Sequence, residues 1–265
     1  MLTSYHVHSL FSDGRCAISD HVRSAMELDL DELGISDHLV LLAGDRRHGM
    51  GTLLDNLPAY INALNAASEE TRGRLTIRFG VEADFDPLMT RELGDILKSL
   101  PLDYVIGSVH FVGDFPIDRS AEDWDVLIQV ERDEIMRGYW KNIAGMARSG
   151  LFDIAGHMDL YKKFGHHPTI DLSQEISEAL DAIAGAGMAV ELNTAGWHVP
   201  AQEQYPSLEI LRGCKMRGIP VLLSADAHLA EFLTRDFDKG EAMLRELGYI
   251  EKAAFAKREM KLVAL

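Results

Sequence analysis

Seven short apolar runs, separated by stretches of helical spacing, constrain the fold of this chain more than any other feature. The runs at 2–8, 32–36, 75–81, 104–109, 152–155, 189–192 and 220–223 have the length of strands and are bounded by turn-forming residues. Several are continuously apolar, as in Tyr104-Val105-Ile106, which suits parallel strands buried on both faces. Between them, Ser19 is placed to cap a helix carrying Val22, Ala25, Met26 and Leu28. Asn56 is placed to cap one through Ile61, Leu64 and Ala67, with Pro58 in its first turn. Residues 88–100 form a third pattern, and 121–149 the longest, with Ile135, Tyr139, Ile143 and Met146 on one face and Gly150 just past its end. Ser173 and Pro206-Ser207 open two more helices, and helical patterns over 230–247 and 252–261 close the chain. The alternation predicts an α/β fold with a parallel sheet, either open and doubly wound or closed into a barrel. No internal repeat or Pro, Gly and Ser-rich linker divides the 265 residues, so a single domain over 1–265 is expected.

The ionisable residues fall in a pattern on that frame. The first run delivers His6 and His8, with Asp13 in the following loop. The next runs lead into Asp37-His38, Glu82, His110, His157 with Asp159, Glu191, and Asp226 with His228. Two histidines one residue apart on extended backbone share a face, because strand side chains alternate with period 2. In parallel α/β proteins the carboxyl ends of the strands are where functional groups gather, and in a barrel those ends form one rim. Imidazole mixed with carboxylate suits Zn, Mn or Fe, whereas Mg or Ca prefers oxygen alone. The donors exceed what one tetrahedral ion uses, so a multinuclear site is expected, with hydrolysis of phosphate esters by a metal-bound hydroxide as its typical chemistry.

Charge and composition narrow the field. A formal net charge of −16 argues against general nucleic-acid binding, which draws on Lys and Arg at phosphates. It leaves room for an anionic substrate, because bound metals reverse the sign of a pocket locally. No apolar stretch reaches the roughly 18 residues of a membrane span, so no membrane association is expected. The start of the chain lacks the order of a secretory signal. Cys16 and Cys214 lack the spacing of a zinc knuckle or redox pair. These features together suggest a cytoplasmic protein. They are silent on oligomeric state.

The ordered motifs His6-Val7-His8, Ser12-Asp13-Gly14, Ser36-Asp37-His38, Gly80-Val81-Glu82, Gly107-Ser108-Val109-His110, Gly156-His157 and Asp226-Ala227-His228 resemble those of PHP (polymerase and histidinol phosphatase) domains. The resemblance covers about residues 3 to 249 and implies a distorted seven-stranded (β/α) TIM-like barrel with a trinuclear metal site at its C-terminal rim. Carried over position by position, it implies His6, His8, Asp13, His38, Glu82, His110, His157, Asp226 and His228 as ligands of two to three divalent transition ions. The runs 157–165 and 191–196, and Tyr205-Pro206-Ser207-Leu208, are similar to the stand-alone histidinol-phosphatase branch, which implies L-histidinol phosphate as the small phosphorylated substrate and a place in histidine biosynthesis. Alternatives are another small phosphate, such as a nucleotide or sugar phosphate, and a ligand-binding barrel without catalysis.

Two positions depart from the family pattern. Ser4 stands where an Asp usually precedes the first histidine; if that residue orients a ligand imidazole, Ser4 offers only a neutral hydrogen bond. Trp197-His198 follows Gly196, where the branch tends to place an Arg that reaches substrate phosphate. His198 is therefore a candidate proton donor to the leaving alcohol, or a substitute for that Arg. Lys162, Lys163 and Arg235 are candidate phosphate contacts. His166 and His167 read as surface residues before Pro168, and His21 and His48 carry no supporting context. Three carboxylates against three divalent ions would leave the ligand shell at about +3, enough to draw in a phosphate monoester.

Overall fold

The computed structural model describes residues 1–45 and 52–265. Its strands are β1 (Thr3–Ser4), β2 (Glu32–Ile35), β3 (His38–Leu39), β4 (Thr76–Asp84), β5 (Tyr104–Ser108), β6 (Phe111–Val112), β7 (Phe115–Pro116), β8 (Ile154–Ala155), β9 (Ala189–Asn193), β10 (Val221–Ser224), β11 (Glu251–Ala256) and β12 (Glu259–Ala264). Its helices are α1 (Ile18–Glu27), α2 (Leu57–Glu70), α3 (Thr90–Ser99), α4 (Ala121–Asp125), α5 (Gln129–Arg148), α6 (Ser173–Ala186), α7 (Leu208–Met216) and α8 (Phe237–Glu246).

Each predicted run overlaps one strand of a parallel sheet in the order β1-β2-β4-β5-β8-β9-β10, with β4 running on to Asp84 and β9 and β10 each ending one residue past the predicted run. The sheet bends round on itself. Ala227 N donates to His6 O and His8 N donates to Ala227 O, both at 3.0 Å, so the ends of the first and last strands meet. The closed-barrel alternative is the one observed, with seven strands and helices outside. β2, β5, β9 and β10 are buried along their whole length, because one face meets the barrel interior and the other the helices. The helices contribute apolar stripes such as Tyr60, Leu64 and Ala67 of α2 and Tyr139, Trp140, Ile143 and Met146 of α5. Burying one such large apolar side chain stabilises the fold by about 1.5–3 kcal/mol.

Side chains on β5 show how the interior is layered. Tyr104, Ile106 and Ser108 alternate inward, and His110 beyond the strand continues the series to the rim. At the opposite end, Tyr5, Tyr104, Ile106, Ile154, Ala189 and Leu222 pack against Ala253, Ala254 and Phe255 of β11. The β11–β12 hairpin closes that end, tied there by Lys257 N to Asp103 Oδ1 at 2.9 Å and by Arg258 to Asp153.

This hairpin corrects the helix predicted over 252–261. Lys257 and Arg258 occupy left-handed backbone, φ 52° and 66°, which turns the chain after Ala256. Other helix bounds also move. The Asp20 carboxylate accepts from Ala17 N at 3.1 Å, so α1 starts before Ser19. The single helix predicted over 121–149 is two, with the break at 126–128. The one predicted over 230–247 is a 3₁₀ turn, Ala230–Phe232, followed by α8, because Asp236 at φ 60° interrupts the helix. Gly150, φ 66°, follows the end of α5 as expected.

Candidate metal centre

β1 ends its ladder at Ser4, and the next residues bring His6 and His8 to the rim. His38 begins β3 and pairs in register with Glu82 on β4. His110 follows β5, His157 follows β8, and Asp226 and His228 follow β10. Asp13 comes in on the loop before α1. All nine predicted ligands therefore converge, in four overlapping groups among the described residues: His8-Asp13-His38-His228, His6-His8-Asp226, His6-Glu82-His157 and His38-Glu82-His110. His6, His8, His38 and Glu82 each belong to two groups.

The donor atoms face one another across the rim, the shortest approach being His38 Nδ1 to Glu82 Oε2 at 2.8 Å. His6 Nε2, His8 Nε2, His38 Nδ1, Glu82 Oε2 and Asp226 Oδ1 are buried and make no hydrogen bond among the described residues. Glu82 Oε2 lies 3.4 Å from both His6 Nε2 and His8 Nε2, and Asp226 Oδ1 lies 3.2 Å from His8 Nε2. Ligands about 2.0–2.1 Å from a tetrahedral Zn ion are roughly 3.3 Å apart, so the spacing matches a shared cation. Buried polar atoms without partners are costly and rare. The residues fit divalent metal.

Without metal, the cluster balances its charge with protons. Burial would lower His6, but Glu191, Asp226 and Glu82 outweigh it and hold its imidazole well above the ordinary range. Burial likewise opposes charge on Glu82, yet His38, His6 and His110 keep that carboxyl well below its usual value. His110 and His228 are each pushed up to about 9 against burial, the first by Asp84 and Glu82, the second by Asp13 and Asp226.

A second ring of side chains orients the candidate ligands. Glu191 Oε2 accepts from His6 Nδ1 at 2.9 Å and from Ser224 Oγ at 2.7 Å. Asp84 Oδ1 accepts from His110 Nδ1 at 2.9 Å. Asp37 accepts from Ser9 and Ser12 and steadies the loop bearing Asp13. His21, wholly buried, lies 3.0 Å from His8 O through Nε2. Asp84 and the role of His21 were missed in the sequence; the spacing Glu82-x-Asp84 was the available signal for the first, and His21 gave none. Ser4 does not reach a ligand imidazole. It pairs in register with Leu33 on the helix-facing side, and its hydroxyl donates to Leu233 O at 2.8 Å.

The cluster forms the floor of a cavity of about 590 Å³. Arg15, Lys163, His198 and Arg235 line it, with Asp118, Tyr205, Leu160 and Phe232. Arg235 makes no ion pair among the described residues, its Nε is buried without a partner, and its guanidinium lies 4.3 Å from the centre of the Phe232 ring. Lys163 Nζ contacts Asp118 O at 2.9 Å and Oδ2 at 3.1 Å. His198 Nε2 is 2.5 Å from Asp236 Oδ2. Trp197 turns away, donating through Nε1 to Gln204 Oε1. Lys162 lies outside this cavity: it is buried, and its Nζ donates to Asp159 Oδ2, Glu203 Oε2 and Gln204 O. His166 stacks on Trp124 beside Asp125, and His167 is exposed. His48 lies outside the described residues.

The sequence profile of the PHP domain matches residues 4–195. The chain belongs to the PHP domain family. Among relatives, a Deinococcus radiodurans protein named "Probable histidinol-phosphatase" is 40% identical over 215 residues, 79% of each chain. The histidinol-phosphatase of Lactococcus lactis is 28% identical over 261 residues, 95% of this PHP chain and 93% of that one. A crystal structure of histidinol phosphate phosphatase from Lactococcus lactis, complexed with zinc, L-histidinol and phosphate, superposes with a TM-score of 0.83 at 26% identity, covering 98% of both chains.

Proposed function

We propose that this PHP chain, as a single domain over 1–265, hydrolyses a small phosphate monoester, L-histidinol phosphate, to L-histidinol and phosphate. The observation that carries this reading is the set of buried donor atoms, without a hydrogen bond among the described residues, beneath a cavity that also holds an arginine with no ion pair among those residues. The relatives named as histidinol-phosphatases, one crystallised with zinc, L-histidinol and phosphate, support the choice of substrate.

His6, His8, Asp13, His38, Glu82, His110, His157, Asp226 and His228 would hold two to three Zn, Mn or Fe ions. Such ions supply Lewis acidity toward the phosphoryl oxygens and an activated water. Arg235 binds the phosphate, its guanidinium held flat by Phe232. Lys163 adds positive charge at the same cavity, steadied by Asp118, while the paired Lys162 secures the wall behind it. His198 gives a proton to the departing alcohol oxygen, with Asp236 holding its Nε2 edge and fixing the ring. No helix among the described residues is long and apolar enough to cross a membrane, and the expected setting is the cytoplasm.

Phosphate release from a panel of monoesters tests the substrate. L-Histidinol phosphate is expected to be turned over at least about tenfold more efficiently than nucleotide or sugar phosphates, and a preference of that size for another ester would remove the assignment.

A further inference from the structure

We propose that Ser4 is a positioning residue for substrate phosphate: its hydroxyl, with those of Ser24 and Thr194, fixes the loop that carries Arg235 over the metal cavity. This rests on the reading of Arg235 as a phosphate contact.

The loop at 229–236 follows the ligand His228 and leads into α8. It contributes Leu229, Phe232 and Arg235 to the cavity wall and ends at Asp236, the partner of His198. Turn bonds hold it internally: Phe232 N donates to Leu229 O and Arg235 N to Phe232 O. The carbonyls of Ala230, Leu233 and Arg235 are met instead by hydroxyls from three other elements. Ser24 Oγ on α1 donates to Ala230 O at 2.7 Å, Ser4 Oγ on β1 to Leu233 O at 2.8 Å, and Thr194 Oγ1 after β9 to Arg235 O at 2.7 Å.

The Ser4 contact is the innermost, since Ser4 and Leu233 are both 0% exposed. With the donor gone, a buried carbonyl has no water to turn to, so the loop must shift to satisfy it. Only a donor serves here, because an ionised carboxylate at this position could only accept and would oppose the carbonyl. Fixing the loop fixes the Phe232 ring and the guanidinium on it before substrate arrives, which lowers the ordering cost of binding. Ser4 stands two residues before His6, so one strand end both delivers a metal ligand and sets the arm beside it.

The test is steady-state turnover of L-histidinol phosphate, with competitive inhibition by inorganic phosphate, on the full metal-loaded chain carrying S4A, R235M or both. S4A is expected to raise KM and the phosphate inhibition constant roughly 3- to 10-fold, with kcat within about twofold and bound metal unchanged. R235M is expected to raise both constants further, and S4A to add nothing in its background. S24A, which removes a half-buried hydroxyl that α1 donates to the same loop, is expected to shift both constants the same way by a smaller factor, and it decides the question if S4A does not fold. If R235M weakens phosphate binding but S4A and S24A do not, or if their effects persist undiminished beside R235M, the positioning role falls and the Arg235 contact stands. If R235M leaves both constants unchanged, the Arg235 contact falls and the positioning role with it.

Discussion

His6 Nδ1 lies 2.9 Å from Glu191 Oε2, and neither side chain has any exposed surface. The same carboxylate accepts from Ser224 Oγ, Asn193 Nδ2 and the backbone N of His157, so one acidic residue on β9 ties together the ends of β1, β8 and β10. This leaves His6 Nε2 as the free nitrogen and aims it at Glu82 and Asp226. Glu191→Gln replaces half of that acceptor with a donor. Metal affinity or kcat/KM is expected to fall about 10- to 100-fold. Metal titration and kinetics on the purified variant check it, and near-native values for both would show that the contact does not orient the ligand.

The raised values at His110 and His228 have a direct consequence for pH. Burial opposes their charge, yet Asp84 with Glu82, and Asp13 with Asp226, push each up to about 9 in the metal-free chain. Both lie above the unfolded value of about 6.5, so their charge stabilises the metal-free fold fully below about pH 6.5, and this contribution is lost as pH rises through about 9. Metal requires the neutral imidazole, so binding at pH 7 displaces these protons. Calorimetry in two buffers of different ionisation enthalpy is expected to show net proton release at pH 7, with affinity climbing toward about pH 9. No proton release and a flat affinity profile would contradict the assignment of these histidines as ligands.

Lys162 and Lys163 are neighbours with opposite expectations. Lys162→Met leaves Asp159 without its cation in the interior, which is expected to cost about 3–5 kcal/mol of stability. Lys163→Met removes a half-buried charge from the cavity wall and is expected to raise KM several-fold, with a stability loss of only about 1 kcal/mol. Denaturant titration and kinetics on both variants separate the two roles. A rise in KM confined to Lys162→Met would reverse them.

Much of the candidate site was legible because strand ends in a parallel barrel are few and spatially adjacent; candidate ligands as distant in sequence as His6 and His228 needed only the correct strand boundaries to be grouped. The C-terminal hairpin was not legible. Glu251-Lys252-Ala253-Ala254 and the residues beyond are strong helix formers, and the turn at Lys257-Arg258 lacks the glycine or asparagine that marks such a turn. Its pairing is decided instead by packing of Ala253, Ala254 and Phe255 under the barrel, a contact across more than 200 residues that local pattern does not carry. The direction of the Ser4 hydroxyl was not legible for a related reason. Period 2 would put it on the His6 face, but the β1 ladder stops at Ser4 and the alternation does not continue.

The closed end of the barrel gives a test of packing. A Cβ on Gly80 would stand 2.2 Å from Tyr104 Cζ, and one on Gly34 would stand 2.2 Å from its Oη, so the two glycines make the space the tyrosine fills. Tyr104 Oη donates to Tyr5 O within the same layer and cannot move without losing that bond. Gly80→Ala is expected to destabilise the chain by about 1–3 kcal/mol in urea titration. An unchanged midpoint would show that the layer yields more readily than its contacts indicate.

The most direct measurement follows bound metal and phosphate release together as the chelated protein is titrated with Zn or Mn. Turnover of L-histidinol phosphate is expected to be absent at first and to rise in step with the binding of two to three equivalents per chain. Undiminished turnover after chelation, or saturation with less than one equivalent bound, would contradict a multinuclear metal centre at the barrel rim.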